Sequence, residues 1–395
     1  MKKTAFLIPV FLFANQNILS DLKLKLLNLD EQRSIYSAKE TQKSWINPII
    51  LQYSISQNNS LHITKQNIQT FSVSINQPIF KTGAIYYSIK YAKNLKNYNL
   101  KQIELQKRAL IKQAYELVYD YKINKLNEEI ALLNIQNAKI DVKKKKEDFL
   151  NGTGDSTFLN QAIINLNNIK LGYEDLKFNE KQLKFSFKNL SDLDIEKVKL
   201  PYFKIISKND FINNNLQLIS SKINDKIKYD LYKMQLGNQL LTIAFNASYN
   251  YQNTDYTDNT PQYRDDTNNY YNVGLSVTLP IDVTSTDKVK QTKLSYIKSR
   301  YETLDTKRNL LNTYAMIISQ IKTLQKKKEI YKENEKAYAN LIESTKESIK
   351  AGNATVLDLK ILENSYKVMQ INQKIIDLQI QKLLLNLYYQ VTSKF

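Results

Sequence analysis

The chain has 395 residues and a formal charge of +19, yet only 7 Gly and 6 Pro, too few for a loop-rich globular protein of this size. It has no cysteine, which excludes disulfides, thiolate metal sites and a lipidated N-terminal cysteine, and one histidine, His62, which leaves no His-based catalytic or zinc cluster. The lysines are spread between glutamates along helical patterns, in a chain rich in Lys, Asn and Ile together; that describes a solvated helix surface rather than a face for nucleic acid.

Met1-Lys2-Lys3-Thr4, an apolar run from Ala5 to Phe13 and then Ala14 have the charged start, short core and small-residue stop of a secretory signal. Residues 1–14 are expected to be that signal, since the run is too short to span a bilayer. No later stretch reaches eighteen consecutive apolar residues, so no transmembrane helix is expected.

Residues 21–46 read as a helix, with Leu22, Leu26, Leu29, Arg33, Tyr36 and Glu40 spaced by three and four, and Asn47-Pro48 ends it. The period then becomes two: Ile49, Leu51, Tyr53 and Ile55 alternate with Gln52, Ser54 and Ser56. This predicts strands over 49–57 and 68–78, joined by a solvated loop that holds His62. Pro78 stops the second strand and Gly83 turns the chain into a helix over 84–150. Heptads there run through Ile103, Leu110 and Leu117, then Tyr119, Leu126, Leu133 and Ile140. A seven-residue apolar repeat means packing like a coiled coil, on a helix about 100 Å long. Lys143 to Lys146 lie in its last turns, either complementing the helix dipole or forming a docking patch. The turn Gly152-Thr153-Gly154-Asp155 leads into a helix over 157–190, and residues 192–207, with Pro201, are irregular.

The second half then repeats the first. A helix over 208–236 precedes strands over 240–252 and 270–280, with a solvated loop from Asn253 to Asn269 carrying Asp255, Asp258, Asp265 and Asp266. After Pro280 a long helix covers 288–350, Gly352-Asn353-Ala354-Thr355 turns it, and a last helix covers 356–391. Pro78 precedes Gly152 by 74 residues, and Pro280 precedes Gly352 by 72. An internal duplication follows, with structural repeats over 15–200 and 201–395.

The strands are long enough to cross a bilayer when tilted, and pair an apolar face with one of Ser, Thr, Asn and Gln. A soluble sheet packed on a helix gives the same alternation. In lipid, four strands cannot close a barrel and open edges are not tolerated, so several copies would have to pool them.

The strand signatures Ser72-Val73-Ser74-Ile75-Asn76-Gln77-Pro78-Ile79-Phe80-Lys81-Thr82-Gly83 and Gly274-Leu275-Ser276-Val277-Thr278-Leu279-Pro280-Ile281 resemble those of the TolC family of outer-membrane efflux proteins. So do the helix turns from Gly152 to Leu159 and from Ala351 to Leu359. The resemblance implies a mainly α fold with a small membrane β-barrel: long antiparallel helices forming a periplasmic α-barrel, and four strands per copy in a trimer. It further implies a passive exit duct for small molecules or polypeptides in a tripartite efflux or type I secretion system. The implied partners are two further copies of the chain, a periplasmic adaptor (membrane fusion protein), an inner-membrane pump and outer-membrane lipid, with no cofactor, no metal and no enzymatic activity. The tip turns, Gly152 to Asp155 and Gly352 to Thr355, would meet the adaptor. Asp358, with Phe158 and Ile361 at the other positions where the family carries acids, would line the periplasmic aperture; the alternative for Asp358 is a first-turn aspartate favoured by the helix dipole. After Pro280 the family's aromatic is Asp282 and its glycine is replaced within Thr284-Ser285, so a looser second strand-to-helix turn is expected. A periplasmic adaptor or coiled-coil scaffold is the alternative class; it explains the helical hairpins but not the paired strands.

Overall fold

Alternation and heptad spacing become strands and helices in the computed structural model, which describes residues 18–58, 66–256 and 266–392. The elements in order are α1 (Asp21–Lys43), β1 (Ile50–Asn58), β2 (Gln66–Lys81), α2 (Ala84–Leu150), α3 (Ser156–Lys188), α4 (Lys208–Asn213), α5 (Leu216–Asn238), β3 (Thr242–Tyr256), β4 (Asp266–Thr278), α6 (Ser285–Lys350) and α7 (Val356–Tyr388). The signal-like residues 1–14, His62, Asp258 and Asp265 lie outside the described residues. Two compact units form, and neither coincides with a sequence half: one holds residues 29–102 and 218–306, the other residues up to 28, 103–217 and 307 onward.

The first unit carries the sheet, four antiparallel strands in the order β1-β2-β3-β4. Register does what alternation alone cannot, because it decides whether the apolar sides of four strands coincide. Val73 faces Leu51 and Tyr249, Phe71 faces Tyr53 and Tyr251, and Phe245 faces Leu275. One face is therefore apolar across all four strands, and the other carries Gln52, Ser54, Ser72, Ser74, Asn246, Ser248, Asn272 and Ser276. The apolar face is uncovered at both margins: Leu51, Ile55, Val273, Leu275 and Val277 are all between 61 and 68 % exposed. A soluble sheet would have packed this face on helices.

Strands β2, β3 and β4 outrun their expected 11, 13 and 11 residues, at 16, 15 and 13. The additions are mostly polar, Gln66 and Asn67 in β2, Asn253 to Asp255 in β3 and Asp266 to Asn269 in β4, so residues 253–256 and 266–269 of the expected solvated loop are strand, and the rest of that loop lies outside the described residues. β2 also does not stop at Pro78. It continues to Lys81 because β1 has already left the ladder at Ser74 and the register with β3 slips between Pro78 and Phe80. A bulge is where a residue without an N–H is tolerated inside a strand.

Helical segments complete this unit. Tyr229 of α5 stacks edge-on between Tyr87 of α2 and Tyr296 of α6, and Asn94 donates to the buried Asp230 at 2.6 Å. The turn from β2 into α2 is held by the end of α5 and the link that follows it: Gly237 of α5 abuts the turn, and Thr82 Oγ1 donates to Leu241 O, just before β3, at 2.8 Å.

In the second unit a cluster of Ile18, Leu19, Leu27, Ala114, Val118, Tyr121, Phe187, Leu190, Ile195 and Val198 ties α1, α2 and α3 to the segment after α3. That irregular segment, residues 192–207, is pinned by polar contacts to two helices. Tyr119 donates to Pro201 O at 2.9 Å, and Gln381 Oε1 accepts from Phe203 N at 2.7 Å.

Two helix predictions need correction. The expected helix over 208–236 is two helices, broken at Asn214-Asn215. There Leu216 N donates to Gln390 O and Thr392 N to Asn214 O, both at 2.8 Å, and the Asn215 side chain accepts from Gln217 N. Asparagine side chains compete with the helical backbone in this way. The same pairing of Asn215 with Val391 ends α7 at Tyr388, short of the expected Val391. In α1, Leu22, Leu26, Leu29 and Tyr36 are 50 to 67 % exposed, so the periodic stripe faces outward and the buried positions are Leu27 and Ala38.

The Gly237 contact yields a stability prediction. A Cβ there would lie 2.8 Å from Ala84 N and 2.9 Å from Thr82 O, both backbone atoms. Gly237→Ala is expected to cost about 1–3 kcal/mol as an overpacking change and to lower the thermal midpoint followed by helical circular dichroism. Gly172→Ala, in α3 with open space around it, gains about 1 kcal/mol of helix propensity and leaves the midpoint unchanged or higher. Indistinguishable midpoints for the two variants would refute the tight contact.

Candidate functional site at the helix turns

Both long helices end alike. Gly152 and Gly352 adopt φ of +71° and +78°, a left-handed conformation that an L side chain resists. The residue after each glycine donates back across the last turn, Thr153 N to Asp148 O at 2.9 Å and Asn353 N to Ser348 O at 2.8 Å. These bonds satisfy carbonyls that the helix end would otherwise orphan. Gly154 and Asp155 then lead to α3, and Ala354 and Thr355 to α7.

The following helices start differently. Asp155 caps α3 by accepting from Thr157 N at 2.8 Å, and these bonds hold its carboxyl below the usual range. Thr355 caps α7 in a reciprocal box. Its Oγ1 accepts from Asp358 N at 3.2 Å, while Asp358 Oδ2 accepts from Thr355 N at 3.0 Å and Thr355 Oγ1 at 2.6 Å. Phe158 occupies the position of Asp358 in α3, the third residue of the helix, and is 62 % exposed. Lys145 lies 5.9 Å over its ring. Ile361, one turn on from Asp358, is half-buried.

Asp358 has a second partner. Its Oδ1 accepts a charge-assisted hydrogen bond from Lys144 Nζ, on the last turns of α2. Lys144 first, and then the two Thr355 donors, hold the Asp358 carboxyl down at about 2. Asp358 is thus at once a helix-start aspartate and half of an ion pair. The lysine cluster divides accordingly: Lys144 reaches α7, while Lys143 and Lys145 pair loosely with Glu147 and Asp148 on their own helix. Nothing in the sequence singled out Lys144 among four adjacent lysines, because its partner is 214 residues away.

At the other end of the long helices lie the strand-to-helix turns. Pro78 sits in the β2 bulge, and Gly83 has a φ of +82° just before α2. Pro280 follows β4 and is exposed. The turn after it is not loose. Asp282 accepts from Thr284 N at 2.8 Å and from Lys288 Nζ at 2.7 Å, and these bonds, Lys288 first, bring its carboxyl to about 2. An aspartate-capped turn replaces the expected aromatic and glycine.

Among the described residues no group of acids and histidines is placed to hold a metal, and no helix is long and apolar enough to cross a membrane. Residues 211–388 match the family of outer membrane efflux proteins. No curated protein sequence matches the chain. Among solved structures, the outer membrane protein VceC of Vibrio cholerae superposes with a TM-score of 0.75 at 10 % identity, over 95 % of this chain and 94 % of that one. The CmeC outer membrane channel of Campylobacter jejuni gives 0.72 at 17 % identity, over 96 % and 85 %. The open state of the MtrE outer membrane channel of Neisseria gonorrhoeae gives 0.64 at 12 %, over 94 % and 87 %.

The ion pair has a definite pH dependence. Asp358 titrates near 2, below the ordinary carboxylate value of about 3.9, so its stabilisation is complete above pH ~4 and lost as pH falls through 2. Amide exchange at residues 353–361, corrected for intrinsic rate, is therefore expected to be flat from pH 7 to 5. Lys144→Met raises it at neutral pH by a few-fold, as befits a pair with both side chains 30 to 40 % exposed. Exchange rising between pH 7 and 5, or unmoved by Lys144→Met, would show that the pair does not hold the turn.

Proposed function

We propose that this chain, an outer-membrane efflux protein by family match over its second half and by fold over nearly its whole length, is the exit duct of a tripartite efflux or type I secretion system. The observation that carries this reading is the uncovered apolar face of a four-stranded sheet with two open edges. In hydrocarbon every backbone N–H and C=O must be paired within the protein, and β1 and β4 each leave one row unpaired in a single copy. Three copies supply twelve strands and close the barrel, with the Ser, Thr, Asn and Gln face lining a water-filled lumen. The helices continue the duct into the periplasm. The two structural repeats, 15–200 and 201–395, each give a strand pair and a helical hairpin to it.

Conduction is passive and the chain performs no chemistry. Substrate moves down the lumen once a periplasmic adaptor and an inner-membrane pump engage the turns at Gly152 to Asp155 and Gly352 to Thr355. Three copies of Asp358, Phe158 and Ile361 form the narrowest ring. The Lys144 ammonium beside each Asp358 cancels most of its field, so the ring is less cation-selective than three bare carboxylates. A periplasmic adaptor or scaffold would account for the helical hairpins but would leave the apolar sheet face in water.

Planar-bilayer recordings of the purified full chain test this reading. A water-filled pore is expected, and Lys144→Met increases its cation selectivity while Asp358→Asn decreases it. Absence of any pore from a membrane-extracted oligomer would refute the channel. A pore whose selectivity ignores both substitutions would move the constriction away from Asp358. Adaptor capture tests the tips: replacing Gly152 and Gly352 by valine is expected to weaken it at least several-fold, and unchanged capture would remove the turns from the contact.

A further inference from the structure

In the unit that carries the sheet, the end of α1 and the start of α2 enclose a groove of about 660 Å³, within the range of small-molecule sites. Its floor is apolar, with Ala38 of α1 and Ile89 and Ala92 of α2, and Tyr86 stands at the end nearer the strands. Its rim is Lys39 of α1 and Lys90, Lys93 and Lys96 of α2. No aspartate or glutamate lines it.

Elsewhere on the helices lysines meet carboxylates, as Lys112 meets Glu116 and Lys125 meets Glu128. Among the described residues the four rim lysines form no ion pair. Lys90 lies 5.8 Å over the rings of Tyr86 and Tyr87, and Lys39 lies 5.2 Å over Tyr36. Asp230, whose carboxylate the Lys90 charge favours, is buried and already accepts from Asn94. Lys90, Lys93 and Lys96 follow one another at three-residue spacing, where like charges weaken a helix. Four uncompensated ammoniums around an apolar floor are the pattern of a site for an amphiphilic anion.

We propose that this groove holds an anionic phospholipid of the periplasm-facing leaflet, with the phosphate on the lysines and the glycerol and upper acyl chain against Ala38, Ile89, Ala92 and Tyr86. The inference rests on the outer-membrane channel reading and adds a lipid site to it. The level is right. Exposed apolar residues continue to the helix-ward ends of the strands, at Ile50, Phe80 and Leu279. α2 begins at Ala84, just after β2 ends at Lys81, and Lys90 and Lys93 lie about 9 and 14 Å along it. Headgroups fill about 5–7 Å beyond the hydrocarbon. Helical side chains lean toward the N-terminus of their helix, which on α2 is the sheet end, and the flexible lysine stem extends that reach into the headgroup layer.

The groove also opens on the side where lipid lies. α2, α5 and α6 stand side by side in this unit, joined through Tyr87, Tyr229 and Tyr296. On α2 the groove-side row Tyr86, Lys90, Lys93 and Asn97 is exposed, while the opposite row Ser88, Leu95 and Asn99 is half-buried. A wall one helix thick splays side chains on its convex face and crowds them on its concave face, so the groove lies on the convex side, away from the lumen. Tyrosine at that level matches the aromatic residues that sit among headgroups.

The chain's one tryptophan, Trp45, follows Gln42 of the same groove by three residues and serves as its reporter. The full chain is placed in phosphatidylcholine nanodiscs that hold a small fraction of brominated lipid. Phosphatidylglycerol brominated in its acyl chains is expected to quench Trp45 several-fold more than phosphatidylcholine brominated alike, with a difference that shrinks at high salt. Lys90→Gln/Lys93→Gln should abolish the difference, and Lys332→Gln/Lys336→Gln, the same loss of charge far along α6, should keep it. Equal quenching by the two lipids, or a difference that survives the first variant or is lost equally in the second, overturns the site and leaves the channel reading standing. Inorganic phosphate that shields Lys90 and Lys93 from acetylation in detergent as well as phosphatidylglycerol does would make the groove a site for soluble anions and likewise overturn it. A chain that forms neither a pore nor a membrane-bound oligomer overturns the channel reading and the lipid site with it.

Discussion

The constraint on which the rest of the structure depends is the hydrogen-bonding demand of backbone in hydrocarbon. A sheet of four strands in one copy has two rows of donors and acceptors with nothing to meet, and lipid offers no substitute for water. The uncovered apolar face is the same statement made by side chains: Leu275 at 68 % exposure is costly in water and at ease in lipid. Neither demand is met within one chain. On the proposed reading identical copies arranged head to tail meet both, and oligomerisation is then a condition of the fold rather than an addition to it.

The helices obey a different economy. Among the described residues no helix is long and apolar enough to cross a membrane, and the helix surfaces are charged along most of their length. What holds them is a sparse set of interlocks between flat, heptad-spaced faces: Asn137 with Asn364, Asp120 with Lys382, Lys328 with Asp377. Most of these pairs are partly solvated, where an ion pair contributes about 0–1 kcal/mol. Such contacts fix register without cementing it. Sliding or tilting of neighbouring helices therefore costs little at any one contact. At the turn the Lys144–Asp358 pair follows the same rule, since it is exposed enough to be exchanged for another partner.

The sequence carried the local and periodic features and missed those that depend on distant residues. The strand alternation, both heptad helices and both glycine turns were legible because each is set by neighbours within a few positions. Pro78 misled as a strand end because only the departure of β1 at Ser74 and the slip against β3 make room for it. The stripe through Leu22, Leu26, Leu29 and Tyr36 had the right period for α1, but periodicity does not say which face is covered. At the candidate site, Asp358 was visible in the order of residues as a first-turn aspartate; Thr355 as its capping partner and Lys144 as its ion-pair partner were not. Gly237 gave no signal either, since what excludes a side chain there is the backbone of Thr82 and Ala84.

The two halves share the order of their elements and differ in how each junction is held. Each half builds a strand pair, a long helix, a glycine turn and a shorter returning helix, and the turn glycines are held to the same conformation. Between them the capping chemistry has been exchanged: Asp155 caps α3 with a bare carboxylate, and Thr355 caps α7 with Asp358 completing the box. The strand exits were exchanged too, a glycine turn braced by α5 in the first half and an aspartate turn braced by Lys288 in the second. The architecture constrains where each helix must start and stop, and leaves open which side chain supplies the cap.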